Sequence, residues 1–343
     1  MKKIRFCVLI IAALLLCVFA APMQTDAVFA ATRAGETVRV GGFPIGLALE
    51  VGGLFVEEVT GVDTDYGTVE VEGFRVGDII KKINGTEVKT TDDVHELIGS
   101  GSAHVEMIRD GAVQEFDVTP VIERYSGKPR LGIKIKDRIF GIGTVTFVKE
   151  NGEYAALGHE IYDSDSDTHI PFAGGRIYGC KLLGVKKGAK GEAGALLASI
   201  VISADRGSIV CNNCFGIAGK YDDIADAPET DKVEVASRGE IKPGAACIRT
   251  TVDGKAEYYD IEILKATKKN GRHETGLVFR VTDKRLLSVS GGIVRGMSGS
   301  PILQDGKLVG AVTHVMLNDF TKGYGVYADC LNCRGFADIG RQT

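Results

Sequence analysis

The chain has 343 residues, 45 of them glycine and none tryptophan, and carries a formal net charge of −4. That length accommodates two domains behind a leader, and the near-neutral charge balance gives no basis for a nucleic-acid partner. Helical periodicity is scarce, which excludes a helical bundle and points to a mainly β protein of short strands and turns.

The N-terminus opens with Lys2, Lys3 and Arg5, followed by an unbroken apolar run of 16 residues from Phe6 to Ala21. A membrane span needs about 20, and the small residues of Val28-Phe29-Ala30-Ala31 suit cleavage after Ala30. Residues 1–30 therefore read as an export signal, with an uncleaved N-terminal membrane anchor as the alternative. Either one places the rest of the chain outside the cytoplasm.

In residues 37–122, Phe43-Pro44-Ile45-Gly46-Leu47-Ala48-Leu49 joins small and apolar residues ahead of a strand. Further on, Phe74-Arg75-Val76-Gly77-Asp78-Ile79-Ile80-Lys81-Lys82-Ile83-Asn84-Gly85 brings two strands to an Asn-Gly turn. Thr90 to Ile98 reads as a helix whose Thr90 and Asp93 are spaced as a capping box, and Asp110-Gly111 marks a last hairpin. Together these residues resemble a PDZ domain. The resemblance implies a small β-barrel-like module with a flanking helix, in which Ile45, Gly46, Leu47, Ala48 and Leu49 form the loop and strand that bind a C-terminal or internal peptide. A linker around Tyr125-Ser126-Gly127-Lys128-Pro129 ends it.

The second domain, residues 130–343, holds runs such as Gly143 to Val148, Ala198 to Ser203, Cys247 to Val252 and Tyr258 to Leu264, which suggest a chymotrypsin-like double β-barrel. Its chemistry centres on Gly296-Met297-Ser298-Gly299-Ser300-Pro301, followed by strands from Pro301 to Leu303 and from Leu308 to His314 around an Asp305-Gly306 turn. Small residues beside a serine let the main chain turn so that two amides accompany the hydroxyl, here those of Gly296 and Ser298, as an oxyanion hole requires. The order is G-x-S-G-x-P rather than the G-x-S-x-G elbow of the α/β hydrolases. A glycine-rich hairpin turn accounts for the same residues.

A serine needs a base, and the chain has six histidines: His95, His104, His159, His169, His273 and His314. His159 lies in Ala155-Ala156-Leu157-Gly158-His159-Glu160-Ile161, a small-residue strand end suited to expose an imidazole at a cleft. A hydrogen-bonded structural histidine fits the same setting. Val312, Thr313 and His314 are placed to form one wall of a primary specificity pocket.

The stretches G-I-G-T-V-T-F (141–147), A-L-G-H-E-I (156–161), T-D-K-R-L-L (282–287), G-G-I-V-R-G-M-S-G-S-P-I (291–302), G-A-V-T-H-V (310–315) and N-D-F-T-K-G-Y-G-V-Y (318–327) resemble the stage IV sporulation protein B serine peptidases. The resemblance runs over most of residues 40–330 in the family's order. It implies His159 as general base, Ser298 as nucleophile and Asp283 as the residue that orients the imidazole. It also implies a signalling endopeptidase that needs no cofactor, exported to the forespore intermembrane space. There it would cleave a membrane-associated regulator so that a sigma factor is processed. From spacing alone Asp283, 15 positions before Ser298, serves equally well as the cap of a short helix, and Asp260 is its nearest rival. Two other classes fit: a housekeeping envelope protease, which carries its PDZ after the protease, and a non-catalytic PDZ binding protein.

Two side signals complete the reading. The acidic run Asp163-Ser164-Asp165-Ser166-Asp167 departs from a calcium loop at Thr168 and Gly174. Two C-x-x-C pairs, Cys211/Cys214 and Cys330/Cys333, suit zinc or disulfides, and no metal is expected.

Overall fold

The computed structural model describes residues 32–161, 172–189, 192–267 and 276–331. The leader and its cleavage site, the acidic run at 163–167, His169, His273 and Cys333 lie outside the described residues. No helix among the described residues is long and apolar enough to cross a membrane.

Strands β1 (Thr37–Val40), β2 (Pro44–Val59) and β3 (Ile79–Ile83) come first, then helix α1 (Thr91–Leu97) and the hairpin of β4 (Ala103–Arg109) and β5 (Ala112–Val118). Next are β6 (Ile133–Val148), β7 (Glu153–Ala156), β8 (Gly174–Lys186), β9 (Ala195–Asn213), β10 (Gly216–Tyr221) and β11 (Lys232–Glu234). The last third holds β12 (Gly244–Thr251), β13 (Ala256–Ala266), β14 (Leu277–Val281), α2 (Lys284–Ser290), β15 (Pro301–Gln304), β16 (Lys307–Met316) and β17 (Asp319–Tyr327).

The mainly β, double-barrel expectation holds. The second barrel closes in the order β12-β13-β14-β17-β16-β15 around Ile248, Ile261, Phe279, Ile302 and Val312. The first half also closes: β2 pairs with β6 and β8, and β9, β10 and β7 complete the ring. Its core holds Ile45, Leu47, Leu49, Val145, Ile177 and Ile217. Burying each such side chain contributes about 1.5–3 kcal/mol, and closure leaves no strand edge inside either ring exposed.

This first ring corrects the peptide-binding assignment. Ile45, Gly46, Leu47, Ala48 and Leu49 lie in β2, where Leu47 faces Gly141 of β6 on one side and Ile177 of β8 on the other. Ile45, Leu47, Ala48 and Leu49 are each at most 2% exposed. With both edges paired, the segment can accept no added strand. An apolar run before a strand reads alike in a binding loop and a barrel stave, and only the partners distinguish them.

The boundary moves as well. β1 pairs with β6 and β11, so residues 37–50 are built into the first barrel. The small module starts midway along β2, where Leu54 and Phe55 pair with Ile80 and Ile79 of β3. Its core includes Leu54, Val56, Ile80, Val94, Val105 and Met107. Its turns form as the residues suggest: Asn84-Gly85 and Asp110-Gly111 all have positive φ, the geometry of type I′ hairpins, and Thr90 and Asp93 make the capping box on α1. The expected linker is a tight hairpin, with Pro129–Arg130 paired to Val121–Ile122.

A groove lies between α1 and the start of β6, with Leu131, Gly132 and Ile133 on one wall and Val94, His95 and Ile98 on the other. Over Ile133–Lys136, β6 pairs with β2 along one edge; among the described residues no strand pairs with its other edge there.

A chain beginning at Arg130 lacks β1 and β2 and so one stave of a six-strand ring. The second barrel keeps all six of its strands while the first is broken, so this chain is expected to melt at lower temperature and with a smaller loss of strand signal by circular dichroism than residues 32–343. An unchanged midpoint with full strand amplitude would refute the shared-strand architecture.

Candidate active site

The serine turn lies between α2 and β15. The amides of Arg295, Met297, Gly299 and Ser300 donate to the carbonyls of Gly194, Val294, Val312 and Met297 at 2.7–3.1 Å. Those of Gly296 and Ser298 donate to no acceptor among the described residues, leaving two donors in the places an oxyanion hole uses. Gly299 follows the serine for steric reasons: its φ is +95°, and a Cβ there would fall 1.9 Å from the Thr144 carbonyl oxygen.

The first barrel grips this turn through β6. Thr144 Oγ1 donates to the Gly296 carbonyl at 2.7 Å and Thr146 Oγ1 to that of Gly299 at 2.7 Å. The Thr144 amide donates to the Ser298 carbonyl at 3.0 Å. Both threonines are at most 1% exposed. Sequence reasoning missed them, although G-I-G-T-V-T-F placed two hydroxyls two residues apart, on one face of a strand.

His159 arrives from β7 through Leu157 and Gly158, both left-handed, with φ of 73° and 75°. For leucine that conformation costs about 1–2 kcal/mol and marks a constrained site. The loop then rests on β16. A Cβ on Gly158 would lie 3.1 Å from the Thr313 Cγ2 and from the Val312 carbonyl, and the His159 and His314 rings stack with centroids 4.7 Å apart, tilted by 35°. The Ser298 hydroxyl donates to the Thr313 carbonyl at 2.6 Å. The serine and the histidine loop, one from each barrel, thus both rest against residues 312–314, and the hydroxyl's bond in this arrangement is to the Thr313 carbonyl rather than to the imidazole. The wall expected from those residues takes a different form. Val312 packs into the second barrel's core and Thr313 is buried, so β16 offers the site the Thr313 carbonyl and the His314 ring.

His159 Nδ1 lies 2.8 Å from the Glu160 carbonyl oxygen. A carbonyl only accepts, so Nδ1 carries the proton and Nε2 keeps its lone pair. Burial lowers the pKa of His159, and the bond to Glu160 opposes that in part. His314 keeps an exposed edge, yet burial and then the neighbouring His159 push it down to about 4. Both rings are neutral at pH 7, the state a general base needs.

Asp283 does not orient this imidazole. Its Oδ1 caps α2 by accepting from the Arg285 amide at 2.8 Å. The Arg285 guanidinium reaches it at 2.8 Å, and the Asp260 amide donates to it at 3.3 Å. The Arg285 side chain holds the carboxyl below its ordinary pKa. The cap reading therefore prevails, and the Glu160 carbonyl occupies the place expected of the aspartate. Asp260, the rival, supplies its main chain to Asp283 rather than a carboxylate to the histidine.

Cys211 is disulfide-bonded, which removes it from a zinc-ligand set. Cys330 accepts from Arg238 Nη2 at 3.0 Å, and burial pushes its thiol up to about 12.

Residues 127–331 match the family model described as SpoIVB peptidase S55. No curated protein matches the chain. Among solved structures, the Rv3671c protease from M. tuberculosis in its active form is 11% identical, with a TM-score of 0.30 over 56% of this chain and 70% of that one. A serine-to-alanine mutant of Rv3671c from M. tuberculosis H37Rv, in its inactive form, is 11% identical, with a TM-score of 0.30 over 59% of this chain and 83% of that one.

Replacing Asp283 by alanine is expected to destabilise the fold by about 0.5–2 kcal/mol, the usual worth of a cap, in a denaturant titration. The folded fraction should keep its peptidase rate within a few-fold. A loss near the 10⁴-fold expected for a triad carboxylate would restore Asp283 to the reaction.

Proposed function

The chain belongs to the SpoIVB peptidase S55 family and is a serine peptidase; from that premise we propose that Ser298 is its nucleophile and His159 its general base. The observation that carries this is the shared support on β16. The carbonyl that holds the Ser298 hydroxyl belongs to Thr313, the residue against which Gly158 packs, beside a His159 ring stacked on His314.

In the resting arrangement the hydroxyl proton points to Thr313. Rotation about the Ser298 Cα–Cβ bond turns it toward His159 Nε2, which takes the proton as Oγ attacks the scissile carbonyl carbon. The amides of Gly296 and Ser298 receive the developing oxyanion. Each such donor is worth about 10²–10³ in rate, and a positioned base about 10²–10⁴. The imidazolium then gives its proton to the leaving amine, and water repeats the sequence on the acyl-enzyme. A backbone carbonyl, rather than a carboxylate, stabilises the imidazolium.

The biological reading follows from the family: a sporulation signalling endopeptidase, exported to the forespore intermembrane space, that cleaves a membrane-associated regulator. Its PDZ-like module would recognise a C-terminal or internal peptide in the groove between α1 and β6, where the edge of Ile133–Lys136 can accept an added strand. That replaces the binding segment expected at residues 45–49.

A fluorophosphonate probe should modify wild-type protein at Ser298, located by mass spectrometry, and leave Ser298→Ala unmodified. Labelling of His159→Ala should be slower by about 10²–10⁴-fold. Because the lowered pKa keeps His159 neutral into mild acid, the acid limb of the rate should fall below the ordinary imidazole value of about 6.5. Modification elsewhere, or full digestion of a protein target by Ser298→Ala, would overturn the assignment.

A further inference from the structure

We propose that Asn212 is the positioning residue for His159, acting through the peptide group between Glu160 and Ile161; this rests on His159 being the base. Asn212 lies near the end of β9 and is 2% exposed. Its Oδ1 accepts from the Ile161 amide at 2.9 Å and its Nδ2 donates to the Ile161 carbonyl at 2.9 Å. The two main-chain partners fix which end of the side chain is which.

The first of these bonds reaches the imidazole. The Glu160 carbonyl and the Ile161 amide are opposite ends of one planar peptide group. Holding the N–H end against Asn212 Oδ1 therefore aims the C=O end at His159 Nδ1, which it meets at 2.8 Å. The chain of bonds runs imidazole N–H, carbonyl, peptide N–H, amide oxygen, and each polarises the next. A peptide plane clamped by a buried amide thus takes the part that a carboxylate plays in a triad.

The surroundings hold Asn212 in place. Cys211 beside it is disulfide-bonded, and Asn213 Oδ1 accepts from the Phe215 amide at 2.8 Å, shaping the β9–β10 turn. Gly216 brings that turn under the histidine loop: a Cβ there would sit 2.4 Å from the Ala156 carbonyl and 2.7 Å from the Gly158 amide. At the loop's other end the Leu157 amide donates to the Thr144 carbonyl at 3.2 Å. The loop is therefore held at 157 by β6 and at 161 by Asn212, with the imidazole between. The titratable groups near it are His314 on β16, Glu160 in the loop, and Cys214 on the β9–β10 turn, close to Glu160.

The test measures the second-order rate of Ser298 modification by a fluorophosphonate against pH, per folded molecule. It compares residues 32–343 of wild type, His159→Ala, Asn212→Ala and Asn212→Asp, with melting curves run in parallel. Asn212→Ala should be slower by about 10- to 100-fold, the scale of an ångström's misplacement. Its acid limb should move to lower pH, because the Glu160 bond that supports the protonated ring is loosened. Asn212→Asp tests the same bonds without deleting them. Its protonated carboxyl can both donate to the Ile161 carbonyl and accept from the Ile161 amide. Ionised, it keeps the amide bond and adds negative charge behind the same peptide group, so its acid limb should move to higher pH, opposite in direction to Asn212→Ala. A residue that merely supports the fold would shift the melting curve and leave both profiles unchanged per folded molecule; that result overturns the proposal. If Asn212→Ala does not fold, the pH profile of Asn212→Asp decides alone. If His159→Ala is slow while the Asn212 variants match wild type, only this inference falls. If His159→Ala also matches wild type, the base assignment falls with it.

Discussion

Two buried threonine hydroxyls hold the candidate site together. Its halves come from separate barrels, and the chemistry tolerates little slack between them. Thr144 and Thr146 project from one face of β6 into the serine turn and bond the carbonyls on either side of Ser298. Threonine suits this task because its branched Cβ restricts χ1 and so fixes where the hydroxyl points. Losing either would leave a buried carbonyl short of a partner, at about 1–3 kcal/mol. A second contact closes the same seam, where Thr251 Oγ1 of the second barrel donates to the Gly42 carbonyl between β1 and β2 at 2.8 Å.

Within that frame the electrostatics are quiet. Among the described residues no carboxylate bonds the imidazole: Asp283 is engaged with Arg285 and with the end of α2. Two stacked neutral rings and a row of main-chain carbonyls surround the serine instead. Burial favours an uncharged histidine, and a peptide dipole is enough to select its tautomer without binding the proton. The arrangement keeps the base available over a wider acid range than an ion-paired imidazole would.

What could be read from the sequence divides along physical lines. Strands, turns and caps are local, and Asn84-Gly85, Asp110-Gly111, Asp305-Gly306 and the Thr90/Asp93 box all adopt the geometry that their residues favour. The serine turn was legible for the same reason, since Gly299 meets a steric demand that one residue can state. The partners of long-range contacts were not. Nothing in Ile45 to Leu49 says that β6 and β8 flank it, and nothing near Asp283 says that its carboxylate turns to Arg285 rather than across the cleft. Asn212 was hidden further, because it acts on a main chain 51 residues away and carries no motif of its own.

β2 and β6 each run 16 residues and belong to the small module at one end and to the first barrel at the other. Recombination that moves a domain as a cassette needs a seam where the chain crosses once between finished units, and here the seam would cut across two strands in mid-run. The module therefore cannot be shuffled onto another enzyme, nor lost from this one, by a single crossover that leaves the barrel whole. Two strands rather than one tether join it to the barrel, and their pairing steps in register between Lys136 and Arg138, opposite Phe55 and Glu50, so whatever orders the module's end of β6 reaches the strand that carries Thr144 across that step.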